Sequence, residues 1–165
     1  MIFMTYPPIR RQDKAIPAEQ AMAILTEAEY GFLSTVGPEG APDTVPLNHV
    51  VVDGSIYFHC AFEGRKIENM TRDGRVCFSA VRGDQLVSSG HSHTLLYESV
   101  VAHGIARRVT DFDEKKRLLL LLCEKFFPHD MPHFHDMLKS PDPVTGTDVW
   151  SIAIEHISGK ANTGK

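Results

Sequence analysis

The sequence predicts an α+β, mainly β fold: roughly six antiparallel strands forming a barrel, with peripheral helices inserted between them. Three observations lead there. From residue 31 onward, several segments show apolar residues at every second position, the period of a half-buried strand. Asp53-Gly54 stands between two such segments, a strong hairpin signal. The helical period is confined to short stretches at 17–29, before the first strand, and at 64–73 and 111–127, between strands.

Element by element, residues 1–15 are polar and contain prolines, and they read as an arm packed across the domain or a neighbour. Pro17 suits a first helical position and Glu19 the favourable first turn. Ala21, Ile24, Leu25 and Ala28 then make one apolar face. Gly31–Val36 reads as a strand ended by Gly37-Pro38-Glu39-Gly40, and Thr44–Val52 as a second strand. Ser55–Cys60 follows the Asp53-Gly54 turn, and Arg75–Val81 is again strand-like. Leu95–Val109 is long for one strand, and Gly104 marks a bulge or bend in it. Asp111 with Glu114 forms a capping-box pattern for a helix that Pro128 ends. Residues 128–147, rich in His, Pro and Asp, read as a long loop. Asp148–Ile157 is the last strand, before a polar tail. No linker or repeat divides the chain, so 1–165 reads as a single domain.

Composition narrows the function. The net charge of −4 lacks the clustered positive charge of a nucleic-acid binder. No apolar run approaches the ~20 residues needed to span a bilayer. The first residues lack the basic and apolar regions of a signal peptide. Cys60, Cys77 and Cys123 are odd in number and widely spaced, which suits free thiols in a reducing cytoplasm.

The segment richest in chemistry is Phe58-His59-Cys60-Ala61-Phe62-Glu63-Gly64-Arg65-Lys66. A strand ends, a loop follows, and a helix begins with a small residue and two cations. Free N–H groups at a helix start suit a phosphate. Arg65 offers a bidentate fork and Lys66 a point charge. Taken alone, the same three residues also describe a solvated basic turn.

The surrounding order of residues is more specific. Thr44-Val45-Pro46-Leu47-Asn48-His49-Val50, the hairpin turn, and Phe58 to Lys66 together resemble the flavin-binding hairpin of the pyridoxamine 5′-phosphate oxidase-like FMN-binding split-barrel family. Gly64 stands where the oxidase branch has serine, which puts one hydroxyl contact in doubt. The Gly-x-Lys form after a Phe-His-Cys-Ala strand end is similar to the nitroimidazole-resistance (Nim-type) reductase branch. Tyr30–Val36, Tyr97–Gly104 and Trp150–Lys160 resemble further family strands, so the likeness spans about residues 16–161.

The resemblance implies an FMN cofactor and a homodimer with flavin sites at its interface. It implies Arg65 and Lys66 on the phosphate, and Val45, Pro46, Leu47 and Asn48 beside the ring edge. Phe58, His59, Cys60 and Ala61 would lie along the ribityl chain and ring. Tyr97, Ser99 and Trp150 are candidates to complete the partner's site, although Trp150 equally suits the barrel core. His59 matches a histidine linked with the redox site of the Nim-type branch and is the candidate catalytic residue; a backbone-bonded structural histidine is the other reading. Cys60 suits a small buried residue. Val45, Leu47 and Phe58 also read as ordinary core.

His91, His93, His129, His133 and His135 match no structural-zinc spacing, and a metal site is not expected. Their loop is a candidate lid that would bring Phe134 or His135 near a substrate. The expected function is therefore a flavin-dependent oxidoreductase reducing a small electrophile such as a nitroaromatic. A haem-binding split barrel and a non-catalytic flavin-binding protein are the alternatives. The C-terminal basic motif of a true pyridoxamine-phosphate oxidase is not evident.

Overall fold

The computed structural model describes residues 6–89 and 92–164. Among them, eight strands form one antiparallel sheet: β1 (Ala15–Ile16), β2 (Tyr30–Val36), β3 (Pro42–Asn48), β4 (Val50–Val52), β5 (Ser55–Cys60), β6 (Arg75–Ser89), β7 (Ser92–Arg108) and β8 (Asp148–Asn162). The order is β3-β2-β6-β7-β8-β5-β4, with β1 added to β8. The two edge strands, β3 and β4, are separated in sequence by His49 alone. The sheet must therefore curl until its edges meet, which is the split barrel.

That corner corrects the single strand expected over 44–52. The reason lies in one buried imidazole. His49 is 0% exposed, its Nε2 donates to the Leu25 carbonyl at 2.7 Å, and its ring meets Phe78 edge-on. Lys125 fastens the same corner from outside, its Nζ donating to the carbonyls of Thr26, Ala28 and His49 at 2.9, 2.7 and 3.0 Å. Two of these close the end of α1 (Ala18–Glu27), where carbonyls lack intrahelical donors.

Burial, aided by the nearby Lys125 charge, lowers the His49 pKa to about 4 from an ordinary 6.5, and its Nδ1 has no partner among the described residues. Below 6.5 the unfolded chain takes up a proton that the folded state refuses. The stability present at neutral pH is thus lost as pH falls from 6.5 toward 4. Denaturant titrations should show a loss of about 2 kcal/mol between pH 7.5 and pH 5 from this group. His49→Gln should be less stable at pH 7.5 and have a shallower acid slope. An unchanged slope would show that His49 does not carry the effect.

The barrel interior holds Ile24 and Leu25 of α1 against Leu33, Phe58, Phe78, Ala102 and Ile152. Each of the larger of these side chains contributes about 1.5–3 kcal/mol relative to exposure. A second core lies outside the barrel. Leu118, Leu119 and Leu122 of α3 (Phe112–Phe126) pack with Val50, Leu138, Val144 and Val149.

Other expectations change in detail. Pro17 is the N-cap of α1 and not its first residue. Only half of the capping box forms: Asp111 Oδ1 accepts from the Glu114 amide at 2.8 Å, while the Glu114 carboxylate pairs with Arg117. The β7–β8 register shifts between His103 and Gly104. Strands β6 and β7 extend the hairpin well past Val81. The expected 128–147 loop forms α4 (Met131–Met137) and α5 (Asp142–Thr145), because Leu138 and Val144 bury against α3. The N-terminal segment lies along the barrel, with the Tyr6 ring stacked on His156 at 4.6 Å and tilted against His103 at 4.7 Å. No helix among the described residues is long and apolar enough to cross a membrane.

Candidate functional site

Helix α2 (Arg65–Arg72) begins immediately after the β5 strand and its loop. Gly64, its N-cap, has φ of 121°, a conformation that side chains other than glycine's rarely adopt. That backbone explains why a serine, with its hydroxyl, is not found here. The Gly64 carbonyl accepts the Ile67 and Glu68 amides at 2.9 and 3.1 Å. The preceding amides of Arg65 and Lys66 fall in the part of a helix that has no intrahelical acceptor.

Arg65 and Lys66 share a cleft of about 330 Å³ with Asp43, Thr44 and Val45. Arg65 Nη1 lies 3.3 Å from Asp43 Oδ1, and with 76% of its side chain exposed the pair is weak. An arriving anion can therefore take the guanidinium from Asp43. Asp43 itself is braced from behind: Asn69 Nδ2 donates to Thr35 Oγ1 at 3.0 Å and reaches Asp43 Oδ2 at 3.5 Å. Asn69 is 1% exposed, and Arg72 donates to its Oδ1. Asp43 and Asn69 are site residues that the sequence reading missed. Their signal was poor, since an aspartate beside Pro42 reads as turn chemistry and an asparagine in a polar helix reads as surface.

Strand β3 leads away from this cleft. Val45 and Leu47 point into the barrel, while Thr44, Pro46 and Asn48 face outward. Because β3 is a sheet edge, alternate backbone groups face away from β2 and are free to bond a ligand. Pro42 and Pro46 suit such an edge. Asn48 Nδ2 donates to the Glu29 carbonyl at 2.8 Å, so its amide hydrogens are partly engaged. Phe58 is 0% exposed and belongs to the core, whereas His59 faces outward. Ala61 is exposed in the loop that follows β5.

Asn48 and His59 open onto a second, larger pocket of about 550 Å³. Its other walls come from α3, α4 and the segment before β8, including Leu119, Leu122, Phe126, Phe134 and Met137. Phe134 lines it; His135 does not. Partial burial lowers the His59 pKa from its ordinary value. Burial raises the Cys60 thiol to about 11, so it stays protonated and unreactive. Cys123, another wall residue, shifts the same way.

The three residues that the resemblance offered for completing a partner's site lie elsewhere in the chain. Tyr97 sits in a cleft with Arg82, Glu98 and Asn162. Ser99 Oγ donates to the Lys160 carbonyl at 3.4 Å. Trp150, at 3% exposure, packs in the barrel core, the second of the two readings its sequence allowed. Its Nε1 donates to Asp148 Oδ2 at 2.8 Å, and Arg108 lies over its ring at 5.3 Å. Among the described residues, no group of three or more His, Cys, Asp or Glu side chains is placed to hold a metal ion. His91 lies outside the described residues.

The family model for pyridoxamine 5′-phosphate oxidase matches residues 17–161. The chain belongs to the pyridoxamine 5′-phosphate oxidase family. Solved structures of the same fold agree with that membership. A candidate 5-nitroimidazole antibiotic resistance protein from Bacteroides thetaiotaomicron is 25% identical, with a TM-score of 0.76 over 88% of this chain and 85% of that one. An FAD-binding protein from Mesorhizobium loti is 22% identical, with a TM-score of 0.67 over 91% and 98%. An FAD- and haem-binding protein from Mycobacterium smegmatis is 17% identical, with a TM-score of 0.76 over 92% and 74%. No curated protein matches the sequence. In this oxidase-family chain, β3 contributes Val45 to the Arg65–Lys66 cleft and Asn48 to the apolar pocket.

Proposed function

We propose that this chain binds FMN and is a flavin-dependent oxidoreductase that reduces a small electrophilic substrate such as a nitroaromatic. The observation that carries the reading is the cleft holding Arg65 and Lys66 at the start of α2, beside a strand edge with free backbone groups. Two cations and open amides suit a phosphate monoester. The chain has no glycine-rich dinucleotide fingerprint, which favours FMN over FAD.

FMN, when bound, supplies the electron transfer. The chain does the rest. Arg65 and Lys66 anchor the phosphate. The β3 edge from Val45 to Asn48 orients the ring through backbone groups. His59 donates a hydrogen bond from its ring N–H to a polar atom of cofactor or substrate. The walls from α3 and α4 exclude water on that side.

A flat ring lying on an outer edge needs cover on its other face, which a second copy of the chain supplies through the strand from Tyr97 to Val101. The dimer is therefore part of the proposal. Three free cysteines suit a reducing cytoplasm. A second reading, haem, has one specific support: a histidine opening on a large apolar pocket. Against it, no Lys or Arg lines that pocket to receive propionates.

Size-exclusion chromatography with an absorbance spectrum tests the cofactor and the dimer together. One FMN per chain should elute with a species of about twice 18.4 kDa. A haem spectrum alone, or no affinity for flavin, would refute the cofactor reading. A monomer that holds FMN tightly would refute only the shared site.

A further inference from the structure

The apolar pocket is built separately from the phosphate cleft. Asn48 lines one and Val45 the other, three residues apart along β3, or ~10 Å at ~3.3 Å per residue. The cleft is polar and cationic. The pocket, by contrast, has no Asp, Glu, Lys or Arg among its lining residues. Its rings come from Phe126, Phe127 and Phe134, and its volume falls in the range of small-molecule sites. Polar side chains are few: Asn48 and His59 at the strand ends, and Thr147, whose hydroxyl donates to the Pro143 carbonyl.

We infer that this pocket recognises the substrate, and that it selects an uncharged, planar aromatic compound over a carboxylated or phosphorylated one. The word substrate rests on the flavin reading; the binding site does not. A flat ring stacks between the phenylalanines, where aromatic pairs gain beyond their buried area. One polar atom of the ligand meets His59 or Asn48. An anionic substituent would have to shed its water with no cation to receive it, and that desolvation is costly. A phosphorylated substrate is thereby excluded from the pocket: the cleft cations lie outside its lining, and Lys125, 5.2 Å from the Phe126 ring, has its Nζ committed to the carbonyls of Thr26, Ala28 and His49.

The probes are 4-nitrotoluene and 4-nitrobenzoate, alike in shape and different in charge. Each is titrated into the full-length protein, with and without saturating FMN. Affinity is followed by calorimetry, and location by the methyl resonances of Leu119 and Leu122. The neutral probe should bind at least about tenfold more tightly than the anion and shift both leucines. Met137 is 37% exposed on α4, so Met137→Lys is accommodated without disturbing either core. That variant should gain affinity for 4-nitrobenzoate and lose the neutral preference. Leucine shifts with 4-nitrotoluene in a protein that binds no FMN would uphold the pocket while sinking the flavin reading. Equal or tighter binding of the anion to the unaltered protein would overturn the inference. So would 4-nitrotoluene leaving both leucines unmoved in a protein that binds FMN.

Discussion

Replacing Arg65 and Lys66 together with alanine should weaken FMN binding by about 3–6 kcal/mol, a hundredfold to ten-thousandfold rise in Kd. Each charge-assisted bond to the phosphate contributes about 1.5–3 kcal/mol. The fold should survive, since Arg65 is 76% exposed and its ion pair with Asp43 is weak. Thermal melts of the flavin-free variant should match those of the unaltered protein, while fluorescence titration with FMN reports the loss. Asp43→Asn should act oppositely and tighten FMN severalfold, because it removes both a competing anion and a repulsive charge from the cleft. Unchanged affinity in the folded double variant would place the phosphate elsewhere. Riboflavin serves as the control: lacking the phosphate, it should bind both proteins equally.

The second large effect is on stability. Asp148→Ala should cost about 2–3 kcal/mol in denaturant unfolding, a sizeable share of a typical domain's stability. Asp148 is 1% exposed, and its Oδ2 accepts from Trp150 Nε1 at 2.8 Å and lies 3.1 Å from Arg108 Nε. Alanine would strand the indole N–H in the core and leave Arg108 without its counter-charge over the ring. Asp148→Asn keeps an acceptor for Trp150 and should lose less than half as much. The position also bears on the site, because Asp148 pairs with Cys60 across β5 and β8, next to His59. A loss below about 1 kcal/mol for the alanine variant would show that the pair does not brace the strand end.

Much of this molecule was legible in its residues, for reasons that are local. The alternation in Ser55–Cys60, the Asp53-Gly54 turn with φ of 48° and 73°, and the apolar stripe of α1 are properties of neighbouring residues. The Gly64-Arg65-Lys66 sequence could likewise be placed at a helix start before any fold was known. Where the reading failed, distant residues decided. His49 breaks a strand only because Leu25 and Lys125, far away in sequence, converge on that corner. Residues 128–147 look like loop until α3 supplies an apolar surface on which Leu138 and Val144 can bury. The two small helices formed there then wall the large pocket.

The same division holds at the site. Residue type together with the family resemblance of the surrounding hairpin made Arg65, Lys66 and His59 candidates, because that order of residues is carried by the chain itself. Whether Trp150 faced a partner or the core was undecided until β8 was paired with β5 and β7 and its indole was enclosed. Asp43 and Asn69 acquired their role only when β3 and α2 met, since a hydrogen-bond network exists in space and leaves no periodic trace in sequence. The sequence by itself determined the strands, the turns and the cationic helix start, through interactions between near neighbours. The tertiary structure decided the barrel closure, the pocket and the braces around it, because burial depends on what the rest of the chain brings alongside.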